Sequence, residues 1–169
     1  MLPIIILLPL VLGTTLVSWL KQFSRGVTAL AAIGISLSSL VLLLLHAPDV
    51  LDGQVIQQTW RWLPELGLNL SFRLDALGLL FALLISGIGT LIFIYAYYYL
   101  GPKNSLSKLY MLLMLFMAAM LGIALSNNLI LLLTFWELTS ISSFLLVGYW
   151  SNYDAAQRGS RMALTITGM

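Results

Sequence analysis

Long uninterrupted apolar stretches dominate this sequence and limit what it can fold into. A helix needs roughly 20 predominantly apolar residues to cross the hydrocarbon core of a bilayer. Five stretches meet this requirement, and they lie near residues 2–20, 27–45, 76–100, 109–125 and 129–150. A sixth begins after Arg161, and the sequence ends at Met169 before it could span. We therefore predict an all-α fold over residues 1–169, a multi-spanning transmembrane helix bundle whose sixth span is truncated.

The charge content excludes several other classes of protein. Only 8% of the 169 residues are charged and 60% are hydrophobic, whereas a soluble domain typically has about 25% charged residues. The net charge of +2 and the absence of a basic run argue against a nucleic-acid partner. The sequence has no cysteine, which excludes disulfides and thiolate metal sites within it.

The distribution of basic residues predicts the orientation in the membrane. Arg61 and Arg73 lie in loops on one side of the predicted bundle. Six basic residues lie in the loops on the other side, namely Lys21, Arg25, Lys103, Lys108, Arg158 and Arg161. Because Lys and Arg accumulate on the cytoplasmic side, we predict a multi-pass protein of the cell (inner) membrane with its N-terminus outside.

Two local features interrupt the helical pattern. Pro9 lies inside the first apolar stretch and is expected to bend it, because proline cannot donate a backbone hydrogen bond. Residues 54–63 and 68–72 flank a turn sequence at residues 64–67 and have the composition of two short strands. We expect a small β-hairpin on the outer side of the bundle.

Glu137 is the charged residue that does not fit a simple membrane helix. It lies about halfway along the fifth apolar stretch, and an intramembrane carboxylate is costly and commonly functional. Thr134 and Ser140 fall about 60° to either side of it on a helix, so the three predict a polar stripe. Such a stripe suits a proton path, while a structural carboxylate held by a hydrogen bond is the alternative.

Asp75 is the second candidate, at the start of the third span just after Arg73. An acidic residue there commonly caps a helix, and the lip of an ion pathway is the alternative. His46, at the end of the second predicted span, is expected to be an interfacial residue. We expect Gly87 and Gly89 to permit close backbone approach.

The sequence contains no constellation typical of an enzyme or a bound cofactor. Four methionines, at positions 111, 114, 117 and 120, are spaced so that their sulfur atoms spread around a helix. They suit gap-filling better than copper binding. We predict no catalytic residue, no metal site and no cofactor.

Three motifs resemble the A subunit of the multisubunit Mrp-type sodium/proton antiporters, which is related to the antiporter-like subunits of respiratory complex I. Residues 135–146 read Phe-Trp-Glu-Leu-Thr-Ser-Ile-Ser-Ser-Phe-Leu-Leu, and this core resembles the Mrp branch. Residues 72–79 and 95–100 are similar to the start and end of the family's third span.

The resemblance implies a function and a role for one residue. The function is that of a proton-translocating subunit, not an enzyme, in an antiporter that exchanges H⁺ for Na⁺ or another monovalent cation. Its implied partners are other membrane subunits. Glu137 would match the family's transmembrane glutamate, proposed to modulate a neighbouring lysine that this sequence does not contain at membrane depth. A proton-pumping subunit of complex I or a membrane-bound hydrogenase is the alternative, and a purely structural piece is a third.

Overall fold

The computed structural model describes residues 4–5, 8–20, 24–63, 68–101, 106–150 and 162. Within these residues a π-helical turn (Leu8–Gly13) leads into helix α1 (Thr14–Leu20) and then helix α2 (Arg25–Leu51). Strands β1 (Ile56–Leu63) and β2 (Leu68–Leu74) follow. Three further helices complete the order, α3 (Ala76–Tyr99), α4 (Leu106–Leu125) and α5 (Leu129–Val147), with a 3₁₀ turn at Gly148–Trp150.

Four of these helices, α2 to α5, are long and apolar enough to cross a membrane. The predicted fold class is therefore confirmed, and the chain is a multi-pass membrane protein. The described part of the first predicted span consists of residues 4–5, the π-helical turn and the seven residues of α1. The sixth predicted span lies outside the described residues apart from Met162, so the full set of spans stays a prediction.

Polar side chains mark where three of the long helices begin. The Ser24 hydroxyl accepts from the Val27 amide at 3.4 Å, and a carboxylate oxygen of Asp75 accepts from the Gly78 amide at 2.8 Å. The Asn128 side chain accepts from the Ile130 amide at 2.9 Å. Each bond satisfies one of the amide groups that a helix leaves unpaired in its first turn.

The irregular first helix follows from Pro9. Proline has no amide hydrogen, so Pro9 cannot make the i→i−4 bond to the carbonyl of Ile5. The Ser39 hydroxyl of α2 donates to that carbonyl instead, at 3.3 Å. This contact joins the first segment to α2, and it satisfies a backbone group for which the bilayer interior offers no water.

Helices α2, α3 and α4 pack together, and the π-helical turn and α1 pack on α4. Their contacts include buried polar pairs as well as apolar side chains. The hydroxyls of Ser36 on α2 and Thr90 on α3 are 2.7 Å apart, and the Tyr110 hydroxyl of α4 donates to the Phe93 carbonyl of α3 at 2.9 Å. Hydrogen bonds of this kind, with close packing of side chains, hold membrane helices together.

The predicted hairpin is confirmed as an antiparallel pair of strands. Its register runs from Ile56 opposite Leu74 to Leu63 opposite Leu68, with one irregularity near the turn. The predicted turn, residues 64–67, lies outside the described residues. Strand β2 leads directly into α3 through Asp75, so the hairpin sits at the end of the bundle where α3 and α5 begin.

Candidate functional site

Helix α5 carries the candidate site and has the least packing of the four long helices. Only 17% of its most apolar 18-residue stretch is buried, compared with 50% of the corresponding stretch of α4. Its main neighbours within the described chain are α4 and strand β2. One side of α5 is therefore covered, and the other faces outward.

Glu137 lies on the outward side, as the ninth of the 19 residues of α5. Its side chain is exposed, and within the described residues its carboxylate has no hydrogen bond and no ion pair. Large apolar side chains share this side, among them Leu133 at 53% and Trp136 at 52% exposure. A carboxylate facing lipid there would cost a few kcal/mol, which favours a polar neighbour or water from outside this chain.

The two hydroxyls predicted to accompany Glu137 take different positions. Thr134 is exposed and donates to the Ile130 carbonyl at 2.8 Å. Ser140 is buried and donates to the Trp136 carbonyl at 3.3 Å. The structure therefore places Thr134 and Glu137 on one open face and Ser140 at its covered edge, with all three roles in a proton path remaining predictions.

Asp75 occupies the N-cap position of α3, where one carboxylate oxygen binds the Gly78 amide. The other oxygen lies 3.2 Å from the guanidinium of Arg73. Both oxygens thus have local partners at the junction of hairpin and helix. The ion-pathway lip stays a prediction.

His46 does not end its helix, because α2 continues to Leu51. Its Nδ1 atom lies 2.8 Å from the Leu42 carbonyl one turn earlier. The described residues contain no group of three or more metal-binding side chains of the His, Cys, Asp and Glu types.

The glycine expectations were half wrong. A Cβ atom added to Gly87 would meet nothing within 4 Å, whereas one added to Gly89 would lie 3.2 Å from the Met117 sulfur. Among the glycines whose surroundings the structure describes, the tightest approach is at Gly122 of α4, which sequence reasoning did not select. The Phe135 ring of α5 lies directly over it, and the only available signal was a small residue inside a membrane span.

Comparison with known protein families supports the resemblance carried by the motifs. Residues 60–110 match the family described as NADH-ubiquinone oxidoreductase (complex I), chain 5 N-terminus. The chain is 42% identical over 168 residues to the A/B subunit of a probable K⁺/H⁺ antiporter from Rhizobium meliloti (strain 1021). It is 38% identical over 167 residues to the A1 subunit of a Na⁺/H⁺ antiporter from Staphylococcus aureus.

These alignments cover 99% of this chain but only 17% and 21% of the two relatives. The chain thus spans about a fifth of the length of the curated relatives it matches.

Solved structures agree with this assignment. A chain of the Mrp complex from Dietzia sp. DQ12-45-1b superposes with a TM-score of 0.75 at 25% identity, over 86% of this chain and 16% of that one. A chain of the membrane-bound sulfane sulfur reductase, an archaeal respiratory membrane complex, shares the fold with a TM-score of 0.73 at 24% identity, over 86% of this chain and 22% of that one. Over nearly its whole length, the chain is similar to a part of these antiporter subunits and of the Mrp complex, as its motifs predicted.

Proposed function

We propose that this chain is part of the proton-translocating subunit of a multisubunit antiporter that exchanges H⁺ for Na⁺ or another monovalent cation. The observation that carries the proposal is Glu137, a carboxylate midway along a membrane helix and on its open face. Relatives at 38% to 42% identity named as antiporter subunits support it. Other membrane subunits, supported by the likeness to the Mrp complex, would be its partners.

Glu137 would act by electrostatics in this proposal. A carboxylate at membrane depth stabilises a basic side chain beside it in the cationic form, and separating the two groups favours release of the proton. No Lys or Arg of this sequence lies within its predicted spans away from their ends, so the basic partner would come from outside these 169 residues. Thr134, one turn before Glu137 on the same open face, could hold water between the two groups.

The relatives name two different cations. One is named for K⁺ and another for Na⁺. Na⁺ is the first cation to test, followed by K⁺ and Li⁺ under the same pH gradient.

A proton-pumping subunit of a respiratory complex is the second candidate. The complex I family match at residues 60–110 and the fold of the archaeal respiratory complex favour it. An antiporter moves protons in response to a cation gradient alone, whereas a redox-driven pump requires an electron donor. Vesicles with a pH-sensitive dye and no donor therefore distinguish the two functions.

Replacing Glu137 by Gln in the complete assembly tests the central claim, because Gln keeps the shape and removes the charge. We expect cation-dependent proton movement to fall at least about tenfold, equivalent to about 1.4 kcal/mol in the barrier. Glu137→Asp should retain part of the activity. Ser142→Ala is the matched control, since Ser142 is a fully buried hydroxyl on the opposite face of the same helix.

If an assembled Glu137→Gln variant exchanges cations for protons at the wild-type rate between pH 7 and 9, Glu137 has only a structural role. The same result would remove the main support for the proposed proton path.

A further inference from the structure

Helix α5 packs along α4, and one contact between them is especially close. The Phe135 ring fills the space above the backbone of Gly122. A Cβ atom added to Gly122 would overlap three carbons of that ring, Cγ, Cδ1 and Cε1, the last at 2.5 Å. Ordinary carbon–carbon contacts are about 3.5–4.0 Å, so any side chain at position 122 would force the ring to move by roughly 1 Å or more.

The hairpin holds the same helix at its N-terminal end. The Asn127 amide, in the turn before α5, donates to the Ser71 carbonyl of β2 at 2.9 Å. Phe72 and Ser126 form an isolated antiparallel bridge. The Phe72 ring is buried, and its centroid lies 6.4 Å from that of Phe135, within the range of favourable aromatic pairs.

These contacts constrain the direction in which Glu137 points. Residues two positions apart on a helix differ by about 200° in direction, so inserting Phe135 between Gly122 and Phe72 turns Glu137 outward. Leu131 and Ser142, two of the three buried residues of α5, lie near the direction of Phe135, which is consistent with this rotation. Moving the ring by roughly 1 Å at a radius of about 5–6 Å would turn α5 by about 10° and displace the Glu137 carboxylate by a similar distance.

We propose that Gly122, Phe135 and Phe72 are positioning residues that set the rotation of α5 and thereby the direction in which Glu137 faces its partner. The inference rests on the proposed function of Glu137 and extends it, because it makes the hairpin and α4 part of the proton-transfer geometry. Gly122 must lack a side chain, Phe135 must fill the space that this leaves, and Phe72 must hold the ring in place.

The test is Gly122→Ala in the complete antiporter assembly, with Gly34→Ala and Gly87→Ala as matched controls. All three glycines lie in membrane helices, but a Cβ at Gly34 or Gly87 would meet nothing within 4 Å. We expect Gly122→Ala to lower antiport about tenfold per assembled complex and to displace its pH optimum, because misplacement by about 1 Å is costly in a reacting geometry. The two controls should match wild type.

A structural readout accompanies the activity. Leu133 is exposed, and it lies one turn before Glu137 on the same side of α5. A trifluoromethyl tag on Leu133→Cys therefore reports the rotation of α5 by ¹⁹F NMR while Glu137 remains intact. We expect the resonance to move in Gly122→Ala and to stay in place in both controls. In a Phe135→Ala background, which empties the space above position 122, Gly122→Ala should cause no further change in the resonance.

The outcomes separate this inference from the function on which it rests. If Glu137→Gln abolishes antiport but Gly122→Ala behaves like the two controls, the positioning role is wrong and the proposed function stands. If Glu137→Gln is active, the proposed function fails, and the fluorine resonance alone decides whether the three residues set the rotation. Should Gly122→Ala fail to assemble, Phe72→Leu removes the ring contact from the hairpin side. We then expect Phe72→Leu to shift both the fluorine resonance and the pH optimum of antiport. If neither of these two quantities changes, the inference is wrong.

Discussion

Replacing Asp75 separates a helix cap from a group in an ion pathway. The two carboxylate oxygens have different partners, since Oδ1 accepts from the Gly78 amide at 2.8 Å and Oδ2 lies 3.2 Å from the Arg73 guanidinium. The Asp75→Ala variant loses both contacts. The Asp75→Asn variant keeps a side-chain oxygen for the cap and loses only the charge.

The expected magnitudes differ because a cap and an exposed ion pair have different strengths. Losing an N-cap side chain costs about 1 kcal/mol of stability, and Asn caps about as well as Asp. The side chains of Arg73 and Asp75 are 43% and 34% exposed, so solvent screens their ion pair and it contributes at most about 1 kcal/mol. We expect Asp75→Ala to destabilise the protein by about 1–2 kcal/mol and Asp75→Asn by less than about 1 kcal/mol.

Two assays compare the stability and the activity of these variants. Thermal inactivation of the purified assembly measures stability, and dye-monitored proton movement in proteoliposomes, scaled to the amount assembled, measures antiport. A pure cap predicts a lower inactivation temperature for Asp75→Ala alone and wild-type antiport for both variants. Loss of antiport in a stable Asp75→Asn assembly would refute the cap as the whole role, because only the charge has gone.

Two further predictions concern the topology and the first helix. Cysteines at Asn104 and Asp52 should label from opposite sides of intact cells, the second from outside, because the basic residues favour an external N-terminus; external labelling of Asn104 would contradict this. Ser39→Ala should leave the Ile5 carbonyl unsatisfied and cost about 1 kcal/mol, whereas in a Pro9→Ala background, which supplies an amide donor, the same substitution should cost little. Equal losses of thermal stability in both backgrounds would show that Ser39 does not compensate for Pro9.

Much of this fold was predictable because its determinants are local in sequence. Hydropathy over about 20 residues indicates a membrane helix, and α3 begins at Ala76 where the apolar stretch was predicted to begin. The hairpin followed from short β-prone runs around a turn sequence. The π-helical turn at Leu8–Gly13 was not predictable in detail, because Pro9 indicates a bend but does not specify the hydrogen-bond pattern that replaces the missing bond.

The candidate site was predictable only in part. Glu137 stands out in the sequence because a lone carboxylate at membrane depth is rare. The direction it faces does not follow from sequence, because almost every side of α5 is apolar or carries a small hydroxyl, so no stripe distinguishes the packed face. For the same reason Ser140 was grouped with Thr134 and Glu137, although it is buried and they are exposed.

The contact at Gly122 explains, through steric fit, which side of α5 packs on α4. Lipid tails are as apolar as the side chains of α5, so burial of apolar surface gives little preference for one rotation of the helix over another. Steric fit can supply that preference, and Phe135 over Gly122 is a contact that a few degrees of rotation would disrupt. The hydrogen bond between Asn127 and Ser71 then fixes the N-terminal end of α5 to the hairpin. Because α5 packs on α4 along one side and on the hairpin at its N-terminal end, the face that carries Glu137 is left open for its partner.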